Sequence, residues 1–320
     1  MNIRATPAQP PRPRYLMCRP QHFAVTYSIN PWMDPKAWAS SGDALHATAA
    51  RQWAGLHRAL IRHGASIEQV EPAPDLPDLV FTANAAVVLD GKALLARFRH
   101  PERQREQPAY GQSFRALQAR GLIDEVIEMP SGAVLEGAGD CLWDGHRGTF
   151  WMGSGFRSDK VAAAVVEESF GASCVPLDLA DPSFYHLDTA FCPLPCGGVI
   201  YHPGAFTTEA RAAIERQVAP ADRIALDPAD AARFAANAVC FGRVLVLSSC
   251  GETLRGALQQ RGYAVVTTPL AAFLRSGGSA CCLTLRLDNR SRAVAQTTPG
   301  PRRRGTRGIV AAEQVAQART

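Results

Sequence analysis

The same order of apolar and polar positions recurs along the chain. DLVFTANAAVVLDGKALLARF (78–98) holds two strand-like runs around an Asp-Gly turn, and similar pairs lie at 135–155, 186–204 and 236–250. CLTLRL (282–287) is typical of half such a unit, and YLMCRP (15–20) predicts a short first strand. The units begin roughly 45 to 60 residues apart, which is the spacing of a structural repeat.

Helices are predicted between the paired runs. Apolar residues at helical spacing predict helices over 103–120, 159–170, 207–218 and 251–261, the last ending at Gly262. A longer helix is predicted from about 35 to 63. A repeated hairpin-plus-helix unit indicates an α/β fold, either a doubly wound sheet or a radial repeat.

Polar residues mark the start of most units. In chain order they are Asp78 with Asn84, Glu136 with Asp140, His186 with Asp188, and Cys282. In a radial repeat these corresponding positions would converge at the centre. Capping and turn chemistry is the alternative explanation, since Asp, Asn and Gly favour such junctions.

Composition is that of an ordinary globular protein, with 47% hydrophobic and 20% charged residues. The net charge of +5 comes from residues 288–320, which carry seven arginines and two acids, so the remainder has no basic footprint for nucleic acid. No apolar run approaches the roughly 18 residues of a membrane span. We expect a flexible arm over 1–14, one domain over 15–287 and a disordered basic tail over 288–320.

The nine cysteines argue against a disulfide framework, because their number is odd and they are scattered. This usage favours a reducing cytoplasm. Cys192 and Cys196 form the only close spaced pair, but no second pair with zinc spacing accompanies them, so no metal site is predicted. The sequence has no GxSxG elbow, P-loop, HExxH or dinucleotide fingerprint.

Three motifs, LEGAGD (135–140), FYHLDTAF (184–191) and SGGSACCLT (276–284), resemble the amidinotransferase or guanidino-group-modifying superfamily in their type and order. Arginine deiminase, dimethylarginine dimethylaminohydrolase and the arginine dihydrolases belong to it. The resemblance covers about residues 16–287. It implies a five-bladed, pseudo-symmetric α/β propeller (the pentein fold) of ββαβ units.

The resemblance also implies roles for the motif residues. Cys282 would be the nucleophile, His186 the general acid and base, and Glu136 a guanidinium ligand that assists proton transfer. Asp188 and Asp140 would both bind the substrate, and Asp188 would contact the guanidinium nitrogens. Arg157 would hold a substrate carboxylate.

Two asparagines and a second arginine complete the candidate set. Asn84 stands where deiminases and many relatives have an acid, and together with Asn30 it most resembles the arginine dihydrolase branch. An amide can donate as well as accept, so Asn84 could also hold the ureido group of citrulline. Alternatively, Asn84 only satisfies backbone groups in a turn. Arg103 is either a second carboxylate ligand or a surface residue.

The implied reaction is covalent and needs no metal or organic cofactor. Cys282 attacks the guanidinium carbon, ammonia leaves, and water resolves the thiouronium intermediate. The alternatives are a dimethylarginine hydrolase or deiminase that stops at citrulline, an amidinotransferase, and a non-catalytic propeller that binds RNA through its tail. The expected partner is a small guanidino compound, with no nucleic acid or membrane, and a homo-oligomer is left open.

We predict that only one of the two adjacent cysteines is essential. Residues 282, 284 and 286 would share one face of a strand, and the apolar alternate positions would share the other. Cys282→Ser should therefore abolish turnover of a guanidino substrate, whereas Cys281→Ser should retain most of it. Ammonia release measures both. The reverse result would contradict the assignment.

Overall fold

The computed structural model describes residues 12–291. Most of the arm predicted over 1–14 and of the tail predicted over 288–320 lies outside the described residues. Within 12–291, none of the helices is both long enough and apolar enough to cross a membrane.

Fifteen strands in the described part form five separate three-stranded sheets. In each sheet an antiparallel pair is extended by a third strand that runs parallel to its neighbour. In chain order the strands are β1 (Arg14–Cys18), β2 (Ser66–Val70), β3 (Ala86–Leu89), β4 (Lys92–Leu95), β5 (Glu125–Ile127), β6 (Cys141–Asp144), β7 (Thr149–Ser154), β8 (Cys174–Asp178), β9 (Phe191–Pro193), β10 (Val199–Tyr201), β11 (Arg223–Ala225), β12 (Val239–Phe241), β13 (Val244–Leu247), β14 (Ala264–Thr267) and β15 (Leu285–Arg286).

Helices connect the second and third strands of every sheet, because parallel neighbours need a crossover. The α-helices of the described chain are α1 (Pro35–Ala39), α2 (Gly42–Arg62), α3 (Pro101–Gln104), α4 (Gln107–Ala119), α5 (Ala162–Phe170), α6 (Leu187–Ala190), α7 (Thr208–Gln217), α8 (Pro228–Ala232), α9 (Glu252–Gln260) and α10 (Ala271–Leu274). Of these, α6, α8 and α10 lie between successive sheets and are not part of a crossover. The predicted helix over 35–63 is in fact two helices, because α1 ends at Ala39, with Ser40 as its C-cap, and α2 begins at Gly42. Repeated ββαβ units confirm the predicted fold class.

The first sheet is assembled from both ends of the described chain. Strand β1 pairs antiparallel with β15, matching Tyr15 with Arg286 and Leu16 with Leu285, and pairs parallel with β2. The half unit predicted at 282–287 is therefore completed by the first strand. This pairing joins the first and last units, as closure of a radial repeat requires.

The hairpin turns differ more than the sequence indicates. Asp90 and Gly91 form a two-residue turn with φ of 53° and 79°, as an Asp-Gly pair favours. The second Asp-Gly pair behaves differently, because four residues (145–148) separate β6 from β7. There the Asp144 carboxylate accepts the N–H groups of His146 and Arg147, which stabilises the longer loop.

The segments that start the units meet at one centre, so the radial alternative is confirmed over the doubly wound sheet. His186 before β9 lies 2.8 Å from Glu136 before β6. Cys282 before β15 lies 3.1 Å from Asp188. Four clusters of buried apolar side chains pack around this centre.

A glycine permits the closest approach of two of these segments. Gly137 has φ of 60°, and a Cβ there would lie 2.7 Å from the carbonyl oxygen of Ala83 and 2.7 Å from the carbonyl carbon of Asn84. Both atoms are backbone, so a small rotation of a side chain would not relieve the contact. Only glycine therefore fits both the φ angle and the space at this position.

We predict that Gly137→Ala destabilises the protein more than a matched change elsewhere. Gly121 has a similar φ of 69°, but a Cβ added there would have no neighbouring atom within 4 Å. Gly121→Ala should therefore cost only the backbone strain, about 1–2 kcal/mol. Gly137→Ala should cost about 1–3 kcal/mol more because of overpacking. Urea unfolding measures both losses, and equal losses would contradict the close approach of the two segments.

Candidate active site

Cys282 lies in a tight turn between α10 and β15. The N–H of Leu283 donates to the Ser279 carbonyl over 3.2 Å, and that of Thr284 donates to the Cys281 carbonyl over 2.9 Å. These are the spacings of helical turns, in which successive side chains do not alternate between two faces. The strand alternation predicted for this stretch is therefore wrong, because pairing begins only with β15.

The two adjacent cysteines nevertheless have different surroundings. Cys282 is 2% exposed, and its Sγ lies 3.1 Å from Asp188 Oδ2 and 3.0 Å from Asn237 Nδ2. Cys281 is half-buried. Its Sγ makes no hydrogen bond with any residue between 12 and 291. Cys282 is thus the thiol of this pair that has polar partners.

Glu136 links His186 to an arginine. Its Oε2 accepts from His186 Nε2 over 2.8 Å and from Arg157 Nη1 over 2.9 Å, while Oε1 accepts the Arg99 N–H over 3.1 Å. Glu136 is fully buried, and His186 is 1% exposed. Three of the predicted site residues are therefore in one chain of buried contacts.

Asp140 supports the segments around the histidine. One oxygen accepts from the Ser158 hydroxyl over 2.7 Å, and the other accepts the Leu187 N–H over 2.9 Å. Asp140 Oδ2 is 4.0 Å from His186 Nε2. These contacts favour a positioning role for Asp140, next to the predicted base.

Arg103 is a buried residue, so the surface alternative for it is wrong. It is 3% exposed and forms a two-pronged ion pair with Glu106, with N···O distances of 2.9 and 2.8 Å. Its Nη1 also donates to Asn84 Oδ1 over 2.8 Å. A buried guanidinium requires such partners, because an unpaired buried charge is costly.

Asn84 lies between the Arg103 guanidinium and the backbone of Glu136. Besides accepting from Arg103, it donates from Nδ2 to the Glu136 carbonyl over 3.2 Å. That contact uses one of the two amide hydrogens, and the second makes no hydrogen bond with the described residues.

Asn30 reaches the loop that precedes Cys282. Its Nδ2 donates to the Ser276 carbonyl over 3.1 Å, and its Oδ1 accepts the Trp32 N–H over 2.9 Å. The Tyr185 hydroxyl donates to the neighbouring Gly277 carbonyl over 2.9 Å. The Tyr185 ring also lies 4.5 Å from the Arg157 guanidinium.

One pocket brings several of these groups together. Its empty volume is about 250 Å³, part of which is open to solvent. Five of the nine predicted site residues line it, and the others lie behind that lining through the contacts above. The lining residues are Ile29, Asn30, Asp78, Phe81, Asn84, Arg103, Arg157, Tyr185, Ser276, Gly278 and Cys282.

The resting thiol is protonated. Burial, and then the neighbouring Asp188 carboxyl, raise the pKa of Cys282 well above its ordinary value. Burial also raises the pKa of Asp188 to about 7, although hydrogen bonds from Cys282 and Asn237 offset part of that increase. Asp188 Oδ1 is buried and has no hydrogen-bond partner among the described residues.

Glu136 is in the opposite electrostatic state. Burial alone would raise its pKa, but Arg157 and then His186 hold that pKa well below its usual range. The site therefore contains a firmly ionised carboxylate beside the histidine. A second carboxyl, beside the thiol, titrates near neutrality.

Asn237, which contacts both Cys282 and Asp188, was not predicted from the sequence. A signal for it exists in the repeat. FTAN (81–84) and FAAN (234–237) precede the first strands of two units and share the pattern F-x-A-N. An alignment of the two units places Asn237 at the position that corresponds to Asn84.

The family model for eukaryotic N,N dimethylarginine dimethylhydrolase matches residues 13–288. The chain belongs to this family. The bifunctional arginine dihydrolase/ornithine cyclodeaminase AgrE of Nostoc sp. is 42% identical over 276 residues, which is 86% of this chain and 38% of AgrE. The N(G),N(G)-dimethylarginine dimethylaminohydrolase of Mycobacterium tuberculosis is 37% identical over 86% of this chain and 85% of its own.

Solved structures of family relatives confirm the five-bladed propeller. The substrate-bound N-terminal domain of ArgZ, an arginine dihydrolase from cyanobacteria, has a TM-score of 0.80 and 38% identity, covering 88% of this chain and all of that domain. Unliganded AgrE has a TM-score of 0.82 and 41% identity over 88% of this chain and 40% of its own. The chain thus spans about two fifths of the full-length bifunctional relatives.

We predict a specific pH effect on stability for Asp188→Asn. A carboxyl with a pKa of about 7 when folded, and near 4 when unfolded, holds a proton only in the folded form between those values. It therefore favours folding at low pH, and this contribution is lost as the pH rises from 4 to 7. Relative to the parent, the variant should gain about 1 kcal/mol per pH unit over that window.

Denaturant unfolding at several pH values measures this difference. Asp222→Asn is a suitable control because residue 222 is exposed. Parallel stability profiles for the parent and Asp188→Asn would contradict the prediction.

Proposed function

We propose that this chain is a hydrolase that cleaves guanidino C–N bonds of arginine or a close analogue through Cys282. The carrying observation is the pairing of Cys282 Sγ with Asp188, whose second oxygen has no hydrogen-bond partner in the described chain. That oxygen is suited to a guanidinium N–H, which would also bring a positive charge to the thiol. The buried His186–Glu136 pair supplies the acid and base.

The pocket also fits the other end of an amino acid. Arg157 and Arg103 line it and supply guanidinium groups that suit a carboxylate. Asp78 lines it too and is a buried acid that suits an ammonium group. A zwitterionic amino acid would bring its carboxylate to two arginines that already pair with Glu106 and Glu136, and its ammonium group to Asp78.

The reaction begins when a bound guanidinium lowers the cost of ionising the buried thiol. The thiol proton leaves towards Asp188 Oδ2, an acceptor in hydrogen-bond contact, and Sγ attacks the guanidinium carbon. His186 protonates the departing nitrogen, which leaves as ammonia. His186 then takes a proton from water, whose oxygen adds to the thiouronium carbon, and the C–S bond breaks to give citrulline and the free thiol.

Asn84 supports a second round of hydrolysis on the bound citrulline. A neutral ureido group offers a carbonyl, to which the remaining Asn84 amide hydrogen can donate. Attack by Cys282 and loss of ammonia, followed by hydrolysis, would then release ornithine and carbon dioxide. AgrE and ArgZ, both about 40% identical to this chain, are arginine dihydrolases by name.

Hydrolysis of dimethylarginine to citrulline is the second candidate. It is favoured by the family match and by the Mycobacterium tuberculosis relative, most of whose length this chain covers. Deimination of arginine and amidino transfer use the same groups, but transfer requires an added amine. A binding protein without catalytic activity is the non-enzymatic alternative.

For any of the enzymatic roles, we assign the catalytic unit to residues 15–287, between the predicted arm and tail.

We predict that the purified protein converts arginine to ornithine with two ammonia released per ornithine. Asn84→Asp should raise the ratio of citrulline to ornithine at least tenfold, because a carboxylate cannot donate to the ureido carbonyl. The new oxygen would also face the Glu136 carbonyl, which now accepts from the amide.

Amino-acid chromatography with an ammonia assay measures these products. Asn289→Asp is a matched control, because the Asn289 side chain contacts the Val88 carbonyl away from the pocket. Consumption of methylated arginines alone would contradict the dihydrolase proposal. Consumption of neither class would contradict the hydrolase proposal as a whole.

A further inference from the structure

Cys282 is held on both sides by backbone and amide contacts. Its N–H donates to Asn237 Oδ1 over 3.2 Å, and its carbonyl accepts the Ala83 N–H over 3.1 Å. Asn237 Nδ2 in turn donates to Cys282 Sγ over 3.0 Å and to the Asp188 carbonyl over 3.0 Å. One side chain thus contacts the backbone and the sulfur of Cys282.

The orientation of this amide is determined by its partners. The Cys282 N–H can only donate, so it requires the amide oxygen, and the Asp188 carbonyl can only accept, so it requires the NH₂ group. With those two ends assigned, the second hydrogen of Nδ2 is directed to Sγ. Asn237 is fully buried, so water cannot replace any of these contacts without rearrangement.

The two segments that hold Cys282 are corresponding parts of two units. Ala83 belongs to FTAN (81–84), and Asn237 belongs to FAAN (234–237). In the first copy the asparagine lines the pocket, and in the second it contacts the sulfur. Corresponding asparagines therefore make different contacts in the two units.

We propose that Asn237 is a positioning residue that orients Cys282 and stabilises its thiolate through the Nδ2–H···Sγ hydrogen bond. This inference deepens the proposed function and rests on it for the identity of the nucleophile. The physical need for a donor is clear, since an anionic sulfur would lie in a buried site beside a carboxyl group. Hydrogen bonds to ionised groups are stronger than neutral ones, so the amide favours the thiolate over the thiol.

A structural role confined to the turn at Cys282 would depend on the other end of the amide. Asn237 Oδ1 supports the turn by accepting the Cys282 N–H, and an isosteric carboxylate could do the same. Asn237→Asp would therefore restore most function if only the turn mattered. If the donor to sulfur matters, Asn237→Asp should be worse than Asn237→Ala, because it places negative charge beside the thiolate.

The test measures thiol reactivity without any substrate. In a Cys281→Ser background, which leaves one cysteine in the peptide 276–286, iodoacetamide labelling of Cys282 is followed by mass spectrometry against pH. We expect the labelling rate at neutral pH to fall about tenfold in Asn237→Ala and further in Asn237→Asp, with the apparent thiol pKa rising in that order. With arginine, kcat should fall at least tenfold while KM changes less than threefold.

Asn289→Ala and Asn289→Asp are the matched controls, and circular dichroism verifies that each variant is folded. Unchanged labelling profiles in folded variants, or recovery in Asn237→Asp, would overturn the proposal. Because labelling needs no turnover, its result stands even if the protein consumes no guanidino compound, so the two proposals can fail separately.

A measurement on the unsubstituted side chain covers the case in which both variants misfold. In the Cys281→Ser background, the assigned side-chain ¹⁵N–¹H resonances of Asn237 should titrate with the Cys282 thiol and shift on its alkylation. Resonances that shift neither with thiol titration nor with alkylation would overturn the proposal.

Discussion

The centre of the molecule depends on a charged carboxylate that has no access to water. Glu136 is fully buried and accepts hydrogen bonds from Arg157, His186 and the Arg99 backbone, which belong to different parts of the chain. Removing one partner of a buried ion pair typically costs about 3–5 kcal/mol, because a buried charge is left uncompensated. The convergence of the units is therefore stabilised by the same contacts that orient the histidine.

The two halves of the site differ in whether their carboxyl group already has a cationic partner. Around Glu136, arginine and histidine already neutralise the carboxylate. Around Cys282, the thiol and Asp188 have no cationic partner among the described side chains that contact them, and burial raises the pKa of both groups. A guanidinium ligand would supply the missing charge. The thiol would then be more reactive with a cationic substrate bound than in the free protein.

Features of the fold and site that arise from short stretches of sequence could be predicted, whereas contacts between distant units could not. The motifs around Glu136, His186 and Cys282 are local, so their order along the chain was sufficient to identify them. The repeated hairpins and helices are also local patterns, and they correctly predicted five similar units. The burial of Arg103 could not be predicted in this way, because its local ion pair with Glu106 would also suit a surface helix and the pocket forms only when the units meet. The break between α1 and α2 was missed, although the polar stretch SSGD (40–43) marks it in the sequence.

The error at Cys282 has a different origin, and it bears on how repeats acquire active sites. Strand alternation was applied to CLTLRL because the run looks like the other unit starts, yet only its last residues pair as β15. In every unit the chain makes a tight turn before its first strand, and the polar side chain of that turn points towards the centre rather than along a sheet. Asn84 and Asn237 occupy the same place in two such turns, but their neighbours differ, and so do their contacts. The repeated turn therefore places an asparagine at the same position in two units. The residues of the neighbouring units determine whether that asparagine lines the pocket or contacts the nucleophile.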